Sequence, residues 1–294
     1  MRILATADLH FNHPRSRKLA CELIQRMNQA GGDVLLLVGD SAAGDPPALE
    51  QCLERFDFAG PKLLVAGNHE LWTLGDDSYR LFRQELPRRV EQMGWQWLQT
   101  RPLVLGSTAI VGSIGWYDYS FAPADLGVPV RFFERKISPG SAAARAETAD
   151  LVARSDDIAP QAMDIFARWN DGKFVKLGRS DEQFLGELLA ELDGQLSDLS
   201  VATALPAAKR VVAAVHHLPF AQLLPPRSSH QWDFARAFLG SARLGEVLLR
   251  YPTVSHVLCG HSHLPAEAQV EHLRAINIGS GYGWKTYLTL DLPD

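Results

Sequence analysis

PKLLVAGNHE, residues 61–70, is an apolar run that gives way to Gly67-Asn68-His69-Glu70. The run is too short for an ordinary helix and does not alternate polar with apolar residues. That pattern predicts a strand covered on both faces, as strands in parallel sheets are. The same construction recurs through the chain. Residues 2–7 (RILATA) lead into Asp8-Leu9-His10, and the run Val34 to Val38 leads into Gly39-Asp40. Residues 210–215 lead into His216-His217, and 254–259 into Gly260-His261-Ser262-His263. Between the first two runs, Leu19, Leu23, Ile24 and Met27 recur at helical spacing until Gly31-Gly32 ends the helix. The first third therefore reads strand, helix, strand, helix, strand, with polar residues at each strand's end. In open α/β sheets that edge is where ligands bind.

The rest of the chain extends this plan. Residues 76–93 read as a helix, and 95–98 and 109–116 as strands. Residues 117–140 carry aromatic residues, Pro and Gly without a clear period, and 141–199 read as several helical pieces, one of them 182–199. Residues 117–180 are expected to form a largely helical insertion or cap within one domain spanning 1–294. A loop over 218–240, a helix near 241–250 and strands near 266–270, 273–278 and 285–291 complete the expectation. No internal repeat is visible.

Composition narrows the class of partner. Apolar residues make up 46% of the 294 and charged residues 21%, enough for a sizeable core without disulfides. The formal charge of −5 gives no electrostatic footprint for nucleic acid. Cys21, Cys52 and Cys259 have no C-x-x-C spacing and read as reduced, mostly buried thiols. No apolar run approaches the roughly 20 residues that span a bilayer, and the N-terminus reads as a strand start rather than a signal peptide. A cytoplasmic protein with no membrane partner is expected.

The five polar clusters together supply carboxylate oxygen, amide oxygen and imidazole nitrogen. This mixture suits borderline divalent metals such as manganese, iron, zinc or cobalt better than magnesium or calcium. Singly the clusters say little, because a Gly-Asp pair after a strand is commonly a turn and a lone His is commonly solvated. G-H-x-H says more, since residues i and i+2 of an extended segment point the same way. Five such clusters in one chain, each after an apolar run, point to a metal site.

The order D-x-H, G-D, G-N-H-[DE], H, G-H-x-H resembles the calcineurin-like metallophosphoesterase superfamily. The pattern covers residues 5 to 116 and 210 to 292 and leaves the insertion outside it. The resemblance implies an α/β fold, a four-layer αββα sandwich of two mixed β-sheets flanked by helices. It implies two divalent metal ions, with Mn²⁺, Fe²⁺/Fe³⁺ or Zn²⁺ as the expected species. Asp8, His10 and His263 would hold the first, Asn68, His216 and His261 the second, and Asp40 would bridge them. His69 would stand beside the scissile ester as the catalytic imidazole, with Asp40 the shared catalytic carboxylate. The implied reaction is hydrolysis of a phosphate mono- or diester of a small molecule by a metal-activated water. A nuclease of the same superfamily and a non-catalytic metal-binding scaffold are the alternatives. The net negative charge disfavours the former, and the seven intact ligand positions disfavour the latter.

Several residues keep two readings. His216 and His217 are neighbours on a strand and face opposite ways, so either is a ligand candidate. Glu70 either orients His69 or is an exposed acid at a helix start. Trp169-Asn170-Asp171 with Lys173 either folds over the site to read the leaving group or is an ordinary helix end. His13, His230, His256 and His272 match no motif and read as structural or solvated.

Overall fold

Each apolar run that ends on a polar cluster is a strand. The computed structural model describes residues 1–43, 47–75, 77–153, 155–201 and 208–293. It places β1 (Arg2–Thr6), β2 (Val34–Val38), β3 (Lys62–Val65) and β4 (Gln96–Trp97) side by side and parallel. A second sheet is built on β5 (Leu103–Leu105), β6 (Thr108–Ser113), β7 (Arg210–Val215), β8 (Val254–Cys259), β9 (Ala266–Val270) and β10 (Leu273–Asn277). The last strand, β11 (Leu288–Asp291), returns to the first sheet and pairs antiparallel with β1. The strand orders are β11-β1-β2-β3-β4 and β5-β6-β7-β8-β10-β9. Both sheets are mixed: β5 and β9 are antiparallel edges on a parallel centre, as β11 is in the first sheet.

The two-residue period of a strand sorts the layers. Ile3, Val34, Leu36, Val38 and Val65 of the first sheet share one buried cluster with Ile110, Val212, Ala214, Leu258 and Ile276 of the second. That is the seam between the sheets. The intervening Leu4, Leu35, Leu37 and Leu64 join Leu23, Ile24 and Met27 of the helix Pro14–Ala30. On the second sheet, Val111, Ala213 and Val257 join Leu185, Leu188 and Leu192 of Asp181–Val201 and Leu244 of Ala242–Leu249. The result is the expected helix, sheet, sheet, helix sandwich.

Some boundaries differ from the sequence reading for identifiable reasons. The helix expected at 76–93, whose first residue lies outside the described residues, is Ser78–Arg80, a π turn Leu81–Glu85, then Leu86–Gln92. Pro87 has no N–H to give to an i−4 carbonyl, and the Leu86 amide bonds Leu81 five residues back. The strand expected at 109–116 leaves its sheet after Ser113, because the Ile114 amide bonds the Gln99 Oε1 and Gly115 turns at φ +61°. The 218–240 segment contains a helix, His230–Arg236, whose start is capped by the Ser229 hydroxyl accepting from the Trp232 amide.

The 117–180 insertion is a string of helices of three to five residues, among them Val130–Glu134, Pro139–Ala143, Pro160–Asp164 and Asp171–Phe174. Pieces this short do not stand alone. Their Phe132, Phe133, Ile137 and Ile165 are buried in the same cluster as Trp116, Phe184 and Phe238. Cys52 and Cys259 are buried and Cys21 is half-buried. Among the described residues no helix is long and apolar enough to cross a membrane.

Leu36 is fully buried at the seam between the sheets. Leu36→Ala should destabilise the fold by about 3 kcal/mol, read as a lower urea midpoint with an unchanged slope.

Candidate metal centre

All five polar clusters lie just past the carboxyl ends of parallel strands, β1, β2 and β3 from one sheet and β7 and β8 from the other. Backbone bonds lock the loops together. The Asp8 amide donates to Gly39 O at 3.0 Å, the His10 amide to Asp40 O at 2.8 Å, and the Gly260 amide to His216 O at 3.1 Å. The turns are tight. Asp8, His10, Asp40, His261 and His263 are five of the eight non-glycine residues with positive φ among the described residues. Left-handed backbone costs such residues roughly 1 kcal/mol or more, and it gathers at sites where the surroundings dictate the conformation.

Two glycines make room. A Cβ on Gly67 would lie 2.2 Å from Asp40 Oδ1, and one on Gly39, at φ +83°, would lie 2.2 Å from His216 Nδ1. No other residue type fits either place.

Two groups of donor atoms result. Asp8, His10, Asp40 and His263 each present one ligand atom within 4.8 Å of the others, and so do Asp40, His216 and His261. Asp40 belongs to both. Within the first, His10 Nε2 lies 2.9 Å from His263 Nε2, and His263 Nε2 lies 3.6 Å from Asp8 Oδ1. Within the second, His261 Nδ1 is 3.2 Å from His216 Nε2, which is 3.4 Å from Asp40 Oδ1. A cation bonded at about 2.1 Å to each ligand holds donor atoms about 3 to 4 Å apart, so these spacings fit an ion in each group.

The rings are oriented from behind. His216 Nδ1 bonds Val38 O at 3.0 Å and His261 Nε2 bonds Phe238 O at 3.1 Å, which leaves His216 Nε2 and His261 Nδ1 facing the group. Asn68 Oδ1 is buried with no protein partner, as a neutral ligand oxygen would be. His217 bonds Ile114 O through Nδ1 and packs at 4.3 Å from the His261 ring, while its neighbour His216 enters the ligand group.

His69 stands apart from both groups. Its amide donates to Asp40 Oδ1 at 2.9 Å, its Nε2 lies 3.9 Å from Asp40 Oδ2, and its ring stacks on Trp72 at 3.7 Å. Unlike Asp40, it keeps part of its side chain open to solvent.

Electrostatics bind the cluster. Burial pushes the Asp8 carboxyl up to about 7, partly offset by His216. Burial also acts against the charge of Asp40, but His216 and His69 overcome it and hold that carboxyl well below the usual range. Burial would lower His216, yet Asp40 raises it to about 9.

Glu70 corrects both sequence readings. It is fully buried and neither orients His69 nor stands exposed. Its Oε2 accepts from the amides of Asp40 (2.9 Å) and Gly67 (2.7 Å), and its Oε1 from Ser41 (2.6 Å) and Ala42 (3.3 Å). It ties the loop carrying Asp40 to the loop carrying Asn68 and His69. Burial and the Asp40 charge push its carboxyl up, and the Gly67 and Ala42 amides oppose that rise.

Two contributors, Lys285 and Tyr282, escaped the sequence reading, and Asp171 was named in it without a role. Lys285, nearly buried, donates through Nζ to Asp8 O at 2.6 Å. Tyr282 stacks on His10 at 4.5 Å and stands edge-on to His263 at 5.1 Å. Asp171 donates nothing and accepts from Asn68 Nδ2 at 2.9 Å and Trp72 Nε1 at 2.7 Å. Trp169 lies 5.8 Å from the His261 ring, whereas Lys173 is exposed over Phe174. The four unassigned histidines have local roles or lie outside: His13 accepts from the Arg15 amide to cap a helix, His256 meets Ser255, His272 meets Tyr251 O, and His230 is exposed.

Sequence comparison agrees with this geometry. Residues 1–265 match the pattern of the calcineurin-like phosphoesterase family, and the chain belongs to that family. Among solved structures, the phosphopantetheinyl hydrolase of Mycobacterium tuberculosis superposes with a TM-score of 0.65 at 21% identity, covering 96% of this chain and 89% of its own. A dimetal phosphatase from Danio rerio is 13% identical with a TM-score of 0.47, covering 98% and 91%. The calcineurin-like phosphoesterase YfkN of Bacillus subtilis is 11% identical with a TM-score of 0.47, covering 100% and 86%. No curated protein matches the chain significantly.

Glu70→Gln places an amide donor against two backbone N–H groups and should lower stability by about 3 kcal/mol, read in a thermal melt. Ion binding must displace protons from Asp8 below about pH 7 and from His216 below about pH 9. Affinity for Mn²⁺ should therefore strengthen as the pH rises from about 6 to about 9, with proton release visible as a buffer-dependent calorimetric enthalpy.

Proposed function

We propose that this protein is a dinuclear metal-dependent phosphoesterase acting on a small-molecule phosphate mono- or diester. The observation that carries the reading is the pair of ligand groups sharing Asp40. Asp8, His10, Asp40 and His263 would hold one ion, and Asp40, Asn68, His216 and His261 the other. Mixed nitrogen and oxygen donors favour manganese, iron or zinc.

Two divalent ions, when bound, supply Lewis acidity toward phosphoryl oxygens and bring a water toward deprotonation near neutral pH. The chain's residues do the rest. Asp40 offers one oxygen to each group, and its negative charge is what lets two cations share so small a volume. Asn68 contributes a neutral oxygen and so leaves the charge on its ion undiminished. His69, held by Trp72 and by its own amide on Asp40, presents an imidazole to the open side of the site. There its N–H donates a hydrogen bond to a phosphoryl oxygen or to the leaving oxygen. Burial lowers the basicity of this ring, while Asp40 opposes that effect.

The free thiols fit a cytoplasmic enzyme, and the net charge of −5 fits a small substrate better than nucleic acid. A phosphopantetheinyl group is a first candidate beyond generic esters, because the hydrolase named for it shares the fold over nearly the whole chain.

The test begins with chelator-stripped protein assayed on p-nitrophenyl phosphate, bis(p-nitrophenyl) phosphate, single-stranded DNA and a phosphopantetheinyl ester, with each metal added singly. Turnover should return with manganese, iron or zinc. Asp40→Asn should abolish it, and His69→Ala should keep both ions while kcat falls by about 10²- to 10⁴-fold. A His69→Ala protein that loses ions and keeps its turnover would sink the assigned role. Two bound ions without turnover on any ester would favour the scaffold.

A further inference from the structure

An amide ligand has a problem that a carboxylate or imidazole lacks. Asn68 can present either its oxygen or its NH₂ group to a cation, and only the oxygen binds. Something must fix which way the amide points. In this chain the fixing group comes from the insertion, 103 residues away in sequence.

Asp171 is buried, with 1% exposure. Its Oδ1 accepts from Asn68 Nδ2 at 2.9 Å and Trp72 Nε1 at 2.7 Å. Its Oδ2 accepts from Tyr117 Oη at 3.0 Å and Trp169 Nε1 at 2.7 Å. Every partner donates, so each of the two oxygens accepts twice. A reversed Asn68 amide would set oxygen against oxygen at hydrogen-bond distance in a buried place, which is strongly unfavourable. Oδ1 of Asn68 is therefore forced to the other side, where it lies buried without a protein partner.

The same carboxylate reaches two further rings through its other partners. Trp72 is the surface on which His69 stacks, and its far side is backed by Phe174 at 4.9 Å. Trp169 stacks on Phe238 at 5.2 Å and stands edge-on to His261.

We infer that Asp171 is a positioning residue of the second ion site, and that through it the insertion completes the metal centre. The inference rests on the two-ion reading above, with Asn68 as a ligand. Its consequence is asymmetric. Asp171 touches a ligand of the second group and none of the first, so its loss should weaken one ion and spare the other.

The experiment titrates Mn²⁺ alone into chelator-stripped protein, counting bound ions by calorimetry and electron paramagnetic resonance, with circular dichroism to confirm the fold. In Asp171→Ala, which leaves no acceptor behind the Asn68 amide, the first ion should bind within about two-fold of the native affinity and the second at least about ten-fold more weakly. Pairing Asp171→Ala with Asn68→Asp puts at position 68 a carboxylate that presents an oxygen whichever way it turns and so needs no orienting. That pair should recover the second ion to within about three-fold, which a merely structural loss would not allow. If Asp171→Ala does not fold, Asp171→Leu, which fills the space and also removes both acceptors, is read in the same way. Two ions bound with native affinity in the folded Asp171 variant, or both weakened equally, would overturn the inference. Asn68→Ala separates it from the reading beneath: a native two-ion titration there would overturn the ligand assignment itself, and Asp171's role with it.

Discussion

Carboxylates buried without a full set of hydrogen bonds are what the rest of this structure is arranged around. Asp8 and Asp40 are almost wholly enclosed, on adjacent strand ends. An ionised carboxylate in such a place costs several kcal/mol unless something compensates it. The protein supplies only part of that compensation. Asp8 receives one backbone amide, from His261, shared between its two oxygens, and Asp40 receives one, from His69. Imidazoles face what remains. The electrostatic deficit is local, negative and lined with ligand atoms, which is the condition a divalent cation relieves.

Two other buried carboxylates show the contrast. Glu70 accepts four backbone amides and Asp171 accepts four side-chain donors, two on each oxygen. With every lone-pair direction taken, neither has a place left for a metal. Glu70 ties together two loops of the first sheet, whereas Asp171 joins the insertion to the end of β3. The number of donors on a buried carboxylate, more than its burial, separates the groups that support the site from those left open to an ion. Lys285, which touches the Asp8 carbonyl and not its carboxylate, adds positive charge nearby without occupying a ligand position.

Much of this was legible in the sequence. The apolar runs were short, continuous and followed by polar clusters, and a continuous run in a parallel sheet has few alternatives because both of its faces must be covered. Asp8, His10, Asp40, His216, His261 and His263 were readable for the same reason: each lies within a few residues of a strand end, so the strand places it. Boundaries were less legible where a single local event decided them, as with the missing N–H of Pro87 or the Gln99 side chain that takes the Ile114 amide. The insertion read only as helical pieces because its short helices owe their stability to packing against Trp116, Phe184 and Phe238, which no local pattern encodes.

The resemblance carried by the motifs implied the sandwich; by itself the sequence determined the positions of the strands that lead into the site and the set of side chains at their carboxyl ends. These are consequences of local order: a strand's period fixes which residues face the seam and where its last side chains emerge. Only the tertiary structure decided how those side chains are used. It turned Glu70 inward, chose His216 over His217 for the ligand group, brought Tyr282 and Lys285 to Asp8 and His10, and set Asp171 behind Asn68. Those outcomes depend on hydrogen bonds between segments up to 277 residues apart. Such bonds form only once burial has removed water as the competing partner, so no stretch of sequence announces them.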